Sequence, residues 1–460
     1  MIFCHKNEKE ITLGADSAQE NWGSRAKVSI RLITESFWVG AGIAISVILL
    51  FAGTRLLTAL LSSVEYGKLA LAISLSTMIV QVYGNPVSQT AVRFYGYYRA
   101  VGKLTLLLRI LGRSLVIQIG TVGCVYIIFL LFSRHYDGLP DPSFILIIGL
   151  LAIFLLLNRI GFGIEDAARE RRLRSVIQVG FEIGRFVIGI GLVVLLSCRK
   201  AEIVLLGFLI AVVFAVLCHG IFLQRLWNAN LNTDPALPSP ISLPSSMEIK
   251  KFQQPLYISN VCVWIVMMAE RWALQHYAGF SDVGGYAAVH QLAFMPMVII
   301  STFLVLLLEP ILYPLMGLDG KSGSAVYALK MNFYLAVFIL SITVLLFIGL
   351  LFFHTPIGNI LLGENFRFYS WIFPWLVLAG GFFAASQQIL LKFQCELRTQ
   401  MLSVLWGIVA FIAVTGYFIG ARYWQLKGIL FAVVLVNAML FLFAIIFLNC
   451  KRLQVKGKIL

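Results

Sequence analysis

A few ionisable residues stand inside otherwise apolar stretches of the sequence, and they are the residues best placed to do chemistry. Arg55, Arg185 and Arg271 each fall in such a stretch, and Glu182 and Glu270 accompany two of them. A charged side chain at the centre of a bilayer costs at least ~2.5–3.5 kcal/mol, so it tends to face a cavity or a partner. We therefore predict that the three arginines line a cationic cavity, and that the two glutamates orient them or take part in ion coupling.

Each of these charges also fits a simpler explanation. Glu182 precedes Arg185 by three residues on the same helix face, so the pair either neutralises itself for insertion or faces a cavity. Arg55 lies roughly 9 Å from the end of its helix, within snorkelling reach of the membrane surface. Glu270 and Arg271 are adjacent near a helix end and also fit an interfacial pair.

Motifs for catalysis and for metal binding are missing from the sequence. It contains no His-Glu-x-x-His, no Gly-x-Ser-x-Gly and no phosphate-binding loop. The seven cysteines are scattered, without a Cys-x-x-Cys pair. We therefore expect no enzymatic activity, no metal site and no cofactor, with H⁺ or Na⁺ as the only small ions that could be coupled to function.

The composition places the chain in a membrane. Hydrophobic residues make up 60% of the 460 residues and charged residues 12%, whereas soluble domains have about 45–50% and about 25%. This excludes a soluble enzyme, a nucleic-acid-binding protein and a secreted disulfide scaffold. Spans of ~20 apolar residues must be helical, because backbone groups in hydrocarbon have to bond internally. The apolar runs predict twelve helices, at approximately 37–61, 69–90, 110–132, 143–164, 176–197, 203–226, 253–274, 285–309, 331–353, 371–391, 401–420 and 428–450.

Basic residues predict the orientation of these helices. Lys and Arg concentrate at both ends of the chain and in every second loop, which places both termini in the cytoplasm of a bacterium, with the bundle in its inner membrane. This topology accounts for the net charge of +15. The predicted organisation is a cytoplasmic segment (1–36), an N-terminal lobe of helices 1–6 (37–226), a cytoplasmic proline-rich linker (227–250), a C-terminal lobe of helices 7–12 (251–450) and a basic cytoplasmic tail (451–460).

The two halves carry a short internal repeat. An acid, a glycine and an alanine recur in the same register in Glu65-Tyr66-Gly67-Lys68-Leu69-Ala70 and in Asp282-Val283-Gly284-Gly285-Tyr286-Ala287. Arg55 precedes the first copy and Arg271 the second, within one residue of that register. Six helices return the chain to the same side of the membrane, so the halves are predicted to be parallel repeats with the substrate site between them.

Helix-breaking residues interrupt three of the predicted helices. Asn85 and Pro86 interrupt the second helix, Pro296 the eighth and Pro374 the tenth. A proline inside a membrane helix frees a carbonyl group, which is tolerated where a cavity or a neighbour satisfies it. These positions fit hinges between moving parts, and they fit ordinary kinks equally well.

Three segments together resemble a known family. Arg55 with the motif at 65–70, the run Ala269-Glu270-Arg271-Trp272-Ala273-Leu274 with the second motif, and Leu361-Leu362-Gly363-Glu364-Asn365-Phe366 resemble polysaccharide flippases. These belong to the multidrug/oligosaccharidyl-lipid/polysaccharide exporter superfamily. In the family an Asp-Arg pair usually stands where Glu270 and Arg271 stand here. The glutamate keeps the negative charge of the aspartate but carries it on a side chain one methylene group longer. The resemblance extends from about residue 37 to about residue 450.

The resemblance implies a V-shaped bundle of two lobes around a central cavity. It implies the flipping of an undecaprenyl-diphosphate-linked oligosaccharide, such as an O-antigen unit, between the leaflets of the membrane during lipopolysaccharide biosynthesis. Cavity arginines would offer charge-assisted bonds to the diphosphate. The expected partners are this lipid-linked oligosaccharide, membrane lipids and other polysaccharide-assembly proteins, but not nucleic acid.

Other membrane proteins fit the sequence less well. An ion-coupled antiporter for drugs or small solutes, on the same fold, would favour deep acidic residues, whereas the deepest charge here is Arg185. A polysaccharide polymerase would need a large outer loop with catalytic groups. A major-facilitator carrier would have a Gly…Asp-Arg…Gly-Arg run between helices two and three, where this chain reads Ala-Val-Arg-Phe-Tyr-Gly-Tyr-Tyr-Arg over 91–99.

Overall fold

The structure is a computed structural model that describes residues 37–38, 40–133, 141–231, 244–316, 323–395 and 399–449. The predicted cytoplasmic segment (1–36), the basic tail (451–460) and the middle of the linker (232–243) lie outside the described residues. The described part of the chain is helical, without β-strands. Among the described residues, ten helices are long and apolar enough to cross a membrane, so the predicted class, an all-α multi-pass membrane protein, is confirmed.

Within the described ranges, twelve helices follow the twelve predicted spans in order. The sixth and seventh helices extend into the predicted linker from either side, to residues 231 and 246. The helices are α1 (Gly40–Leu60), α2 (Ser63–Ala100), α3 (Leu104–Ser133), α4 (Pro142–Ala168), α5 (Arg171–Leu195), α6 (Ala201–Leu231), α7 (Ser246–Ala278), α8 (Phe280–Met316), α9 (Gly323–Leu361), α10 (Phe373–Cys395), and α11 and α12, which together occupy Thr399–Asn449.

The last two helices form a hairpin without an intervening loop. Gln425 has φ 47° and ψ −126°, a non-helical conformation that ends α11 and begins α12. The backbones of Gly420 and Gly428 touch across this turn, so a Cβ atom on either glycine would overlap the carbonyl group of the other. Glycine is required here because no other residue lets two backbones approach so closely.

The helices form two lobes, α1–α6 and α7–α12. In the first lobe α4 packs against α2 and α6, and α5 packs against α6. In the second lobe α10 lies between α8 and α9, and α7 runs along the α11–α12 hairpin. The lobes meet where α2 contacts both α7 and α8. The boundary between the lobes is therefore formed by α2 of the first lobe and by α7 and α8 of the second.

The two copies of the repeated motif meet face to face at one end of the bundle. A Cβ atom on Gly67 would overlap the carbonyl oxygen of Phe280, and a Cβ atom on Gly284 would overlap that of Ser63. The hydroxyl groups of Ser63 and Ser281 are 2.8 Å apart. This reciprocal contact is what a parallel repeat about a central axis requires. We call this end, where α2 and α8 begin, the closed end, and the other end, where α2 ends and α5 begins, the basic end.

Polar side chains also join α2 to α7 further along. Gln81 donates to Asn260 Oδ1 (3.2 Å), Asn85 donates to Gln81 (2.6 Å), and Arg159 Nε on α4 donates to Asn85 Oδ1 (2.5 Å). These residues surround a π-helical turn over Val80–Gly84 in α2. Pro86 lacks the N–H that a regular helix would use there, which accounts for the irregular turn.

The predicted hinge positions differ in their local structure. Asn85 and Pro86 directly follow the π-helical turn, and Pro296 lies within the continuous helix α8. Pro374 lies in the first turn of α10, after a 3-10 helix over Glu364–Ile372. The expectation that Pro374 interrupts a helix is wrong, because a proline in the first turn removes no hydrogen bond of the α-helix. That these positions act as hinges stays a prediction.

Candidate functional site

A cavity of about 80 Å³ lies between the two lobes, next to the closed end. The first lobe lines it from α1, α2, α5 and α6, and the second lobe from α7 and α8. Two charged residues are in its lining, Arg185 from the first lobe and Arg271 from the second. The carboxylates of Glu182 and Glu270 lie behind them, outside the lining. An object in the cavity therefore meets one guanidinium group from each lobe.

Arg185 stands in a pocket of aromatic rings. Its guanidinium carbon is 4.6 Å from the ring centre of Phe186 and 5.6 Å from that of Phe208, and both rings line the cavity. Glu182 Oε2 is 2.6 Å from Arg185 Nη2, one helix turn away. The rings and the carboxylate fix the guanidinium in one place while its Nε atom stays without a hydrogen-bond partner among the described residues. The sequence left open a self-neutralising pair or a cavity-facing pair, and the geometry combines the two.

Arg271 is held from the second lobe by two neighbours. Its Nη2 atom is 3.2 Å from His290 Nδ1 on α8, and its Nε atom is 3.5 Å from Glu270 Oε1. Arginine only donates hydrogen bonds, so His290 accepts at Nδ1 and is a neutral imidazole. Arg271 is 4% exposed and Glu270 1% exposed. The pair is therefore enclosed by protein, and whether it lies at the depth of the membrane interface stays a prediction.

Glu270 is an unusual carboxyl group because it is buried and its only close contact with a donor side chain among the described residues is the 3.5 Å ion pair with Arg271. Neither of its oxygens accepts a hydrogen bond from the described residues, and the nearby hydroxyl group of Tyr286 is likewise buried and unpartnered. A buried polar group without a partner is costly, by about 1–3 kcal/mol and more when charged. Such a group is retained where it binds something, for example a proton or a cation.

Arg55 lies outside the cavity lining. It is half-buried on α1, and its neighbour Thr54 lines the cavity instead. The register that aligns Gly67 with Gly284 aligns Thr54, and not Arg55, with Arg271. Because a helix turns by about 100° per residue, a displacement of one residue moves a side chain to another face. Arg55 therefore does not share the cavity with Arg185 and Arg271.

Sequence reasoning missed three polar lining residues, Thr54, Tyr66 and Gln291. Tyr66 stands inside the repeated motif, so the repeat did carry a signal for it. Gln291 follows His290 in an apolar stretch and could have been singled out by its polarity alone.

Comparison with known structures identifies the fold. A multidrug-resistance MATE family transporter of the MOP superfamily, in an outward-facing conformation, matches 91% of this chain and 94% of its own, with a TM-score of 0.60 and 15% identity. A MOP superfamily transporter from Pyrococcus furiosus, described as having a binding pocket of reversed polarity, matches the same shares with a TM-score of 0.63 and 13% identity. The chain has the MATE-transporter fold.

A third structure agrees with these two. A MATE transporter from Vibrio cholerae matches 91% of this chain and 96% of its own, with a TM-score of 0.58 and 12% identity. No protein-family model matches the sequence, and a search of curated proteins found no match either. Identities this low establish the fold alone.

Proposed function

We propose that the protein is a transporter for an anionic, lipid-linked substrate, and specifically a flippase for undecaprenyl-diphosphate-linked oligosaccharide in the bacterial cytoplasmic membrane. The observation that carries this proposal is the convergence of Arg185 and Arg271, from opposite lobes, on one cavity. Two fixed guanidinium groups match a diphosphate, which offers two anionic groups to bidentate donors. The carboxylates of Glu182 and Glu270 orient these groups from behind.

The size of the cavity bears on the mechanism. About 80 Å³ is far below the ~300–1,000 Å³ of pockets that enclose a drug-sized ligand. An oligosaccharide therefore enters only when the lobes separate, as in alternating access. The diphosphate bridges the two lobes through Arg185 and Arg271, and its lipid tail stays in the bilayer. Closure of the lobes brings Arg185 and Arg271 to the same cavity, where the anion adds to the charge compensation that Glu182 and Glu270 provide.

Ion coupling is assigned to Glu270 in this proposal. The carboxyl group is beside Arg271 but outside the cavity lining, and neither of its oxygens accepts a hydrogen bond within the described residues. Binding of H⁺ or Na⁺ there would neutralise the carboxylate and leave the charge of Arg271 uncompensated. An anion in the cavity would then bind more tightly, so ion and substrate binding would be coupled.

A binding measurement tests the substrate class directly. The purified protein in lipid nanodiscs should bind a short polyprenyl diphosphate, and should bind the matching monophosphate about tenfold or more weakly, since the second phosphate adds charge-assisted bonds. The matching polyprenyl alcohol should not compete. Equal affinity for all three lipids contradicts the proposal.

An ion-coupled exporter of drugs or small solutes is the second candidate. The fold shared with multidrug MATE transporters favours it, whereas a lining whose charged residues are both arginines does not suit cationic drugs. The same nanodisc preparation distinguishes the two. Binding of a lipophilic cation such as ethidium, with no binding of polyprenyl diphosphate, would show that the protein is an antiporter and not a flippase.

Replacing Glu270 with glutamine should uncouple transport from the ion. The change keeps the shape of the side chain but prevents it from gaining or losing a proton, so substrate binding should lose its dependence on pH or Na⁺. We expect flipping in proteoliposomes to fall by about tenfold or more, while binding of polyprenyl diphosphate at saturating ion is preserved. Glu364→Gln, at an exposed site before α10, is the matched control. Unaltered ion dependence in Glu270→Gln would show that coupling occurs elsewhere.

A further inference from the structure

A second buried ionisable cluster lies in the first lobe, away from the central cavity. Asn158 and Glu165 are seven residues apart on one face of α4, and His219 on α6 stands between them. His219 Nδ1 is 2.6 Å from Glu165 Oε1, and His219 Nε2 is 3.0 Å from Asn158 Oδ1. Glu165 is 0% exposed and His219 2% exposed. None of the three lines the cavity between the lobes.

The fold makes a specific space for the imidazole ring. A Cβ atom on Gly161 would overlap the ring of His219, so the ring occupies the notch that this glycine leaves. The ring of Phe162 closes a further side, with its centre 4.8 Å from that of His219. The imidazole is thus fixed between two polar partners and cannot reach water by a simple rotation.

The hydrogen bonds of the cluster can be satisfied in two protonation states of His219. Asn158 presents an oxygen and Glu165 a carboxylate oxygen, so His219 donates at both nitrogens and is an imidazolium paired with a carboxylate. If the amide of Asn158 turns over, its Nδ2 donates to His219 Nε2, and a neutral imidazole still donates to Glu165. The cluster therefore exists with or without one proton and keeps both hydrogen bonds in either form.

The two forms differ in buried charge. The protonated form is a neutral ion pair, whereas the deprotonated form leaves a net negative charge in the lobe. Glu165 Oε2 has no donor among the described residues that would stabilise that charge. Loss of the proton therefore changes the electrostatic energy of the packing between α4 and α6.

The charged neighbours of the cluster are paired with other residues. On α4, Asp166 is bound to Arg171 and Arg174 of α5 at 2.7 and 2.8 Å. Arg174 also lies over the ring of Phe162, 5.4 Å from its centre. On the α2 side, the neutral Ser88 packs against Gly163 of α4. The remaining charge on this part of α4 is Arg159, which turns away to Asn85.

The position of the cluster connects it to two other features. Glu165 is three residues from the end of α4, roughly 4.5 Å along the helix axis, so protons have a short path from the basic end. Asn158 also directly precedes Arg159, which contacts Asn85 and, through Gln81, Asn260 of the second lobe. A movement of α4 against α6 at Asn158 would therefore also move Arg159, the next residue, which takes part in the polar contact between the lobes.

We propose that Asn158, His219 and Glu165 form a proton-binding site in the first lobe, separate from the central cavity. The site binds and releases one proton at the imidazole, which changes from a neutral ring to an imidazolium. This inference does not depend on which substrate the central cavity carries.

Nitrogen NMR of the full-length protein in nanodiscs, with ¹⁵N-labelled histidine, tests the site. The signal of His219 is identified by its loss in His219→Gln, and it should change from the imidazolium to the neutral form as the pH is raised. Asn158→Asp places a second carboxylate at Nε2 and should raise the midpoint by roughly 1–3 pH units. Glu165→Gln removes the carboxylate and should lower it by a similar amount.

The opposite shifts distinguish a proton site from a structural role. A purely structural cluster would change the melting temperature in each variant but would not move one histidine midpoint up and the other down. His354, on α9 in the second lobe, should keep its midpoint in both variants. If one variant does not fold, the other decides the question alone. A His219 ring that keeps one protonation state at every pH at which the protein stays folded, or a midpoint that a folded variant leaves unmoved, overturns the proposal.

Discussion

Replacing Arg185 with alanine is expected to abolish substrate transport while the protein still inserts into the membrane. The change removes the charged group that the described residues of the first lobe contribute to the cavity lining. Truncating one partner of a desolvated charge pair costs about 2–5 kcal/mol, so polyprenyl diphosphate should bind about 30-fold more weakly or worse. The measurement is nanodisc binding, together with flipping of a fluorescent polyprenyl-diphosphate-linked sugar in proteoliposomes.

Three further variants make the result for Arg185 decisive. Arg185→Ala leaves Glu182 without its ion-pair partner, so the double variant with Glu182→Gln separates loss of function from loss of stability. Arg185→Lys keeps the charge but loses the planar donor pair, and should retain a part of the binding. Arg422→Ala, at an exposed position at the end of α11, should behave as the unmodified protein. Full transport by a folded Arg185→Ala variant would remove the main support for the proposed function.

The second large effect is expected from Gly284→Ala. The new Cβ atom would overlap the carbonyl oxygen of Ser63, which belongs to the backbone and has no flexible end to move aside. The two lobes must then separate at the closed end, and the equilibrium between closed and open arrangements changes. Overpacking a close contact costs typically about 1–3 kcal/mol, so transport should fall by roughly tenfold or more.

Cross-linking measures this separation. With the native cysteines replaced, cysteines at Ser63 and Ser281 should form a disulfide readily, because the two hydroxyl oxygens are 2.8 Å apart. Gly284→Ala should suppress that disulfide, and Gly67→Ala should do the same, since its Cβ atom would overlap the carbonyl of Phe280. The cross-link is therefore a direct report of the contact between the two repeats.

A glycine elsewhere on α2 supplies the control for this experiment. A Cβ atom on Gly96 would find nothing within 4 Å, so Gly96→Ala should leave both the cross-link and transport unchanged. Alanine at an open helical site should even stabilise the helix, by about 0.5–1 kcal/mol. Equal cross-linking in Gly284→Ala and Gly96→Ala would mean that the closed end tolerates a wider spacing than the structure has.

The sequence was sufficient for the class, the number and the order of the helices. Apolar runs of about 20 residues leave a backbone in hydrocarbon no alternative to internal hydrogen bonds, so the twelve predicted spans correspond one by one to α1–α12. The repeat around Gly67 and Gly284 also predicted the two lobes, because six helices per half fix a parallel relation between the halves. The structure differs from the prediction at Pro374, which was expected to interrupt a helix. It lies instead in the first turn of α10, where a proline removes no hydrogen bond of the helix.

The tertiary structure alone decided which polar residues meet. The sequence ranked Arg55 with Arg185 and Arg271, but only the latter two reach the cavity, and it did not connect His219 with Glu165 and Asn158, which are more than fifty residues away from it. In a soluble protein the contrast between a polar and an apolar face would indicate how each helix is turned. In a bilayer the lipid is as apolar as the protein interior, so this contrast is weak. The rotation of each helix is then set by close packing between neighbours, at contacts such as Gly161 with His219 and Gly67 with Phe280, and these become visible only when the helices are assembled.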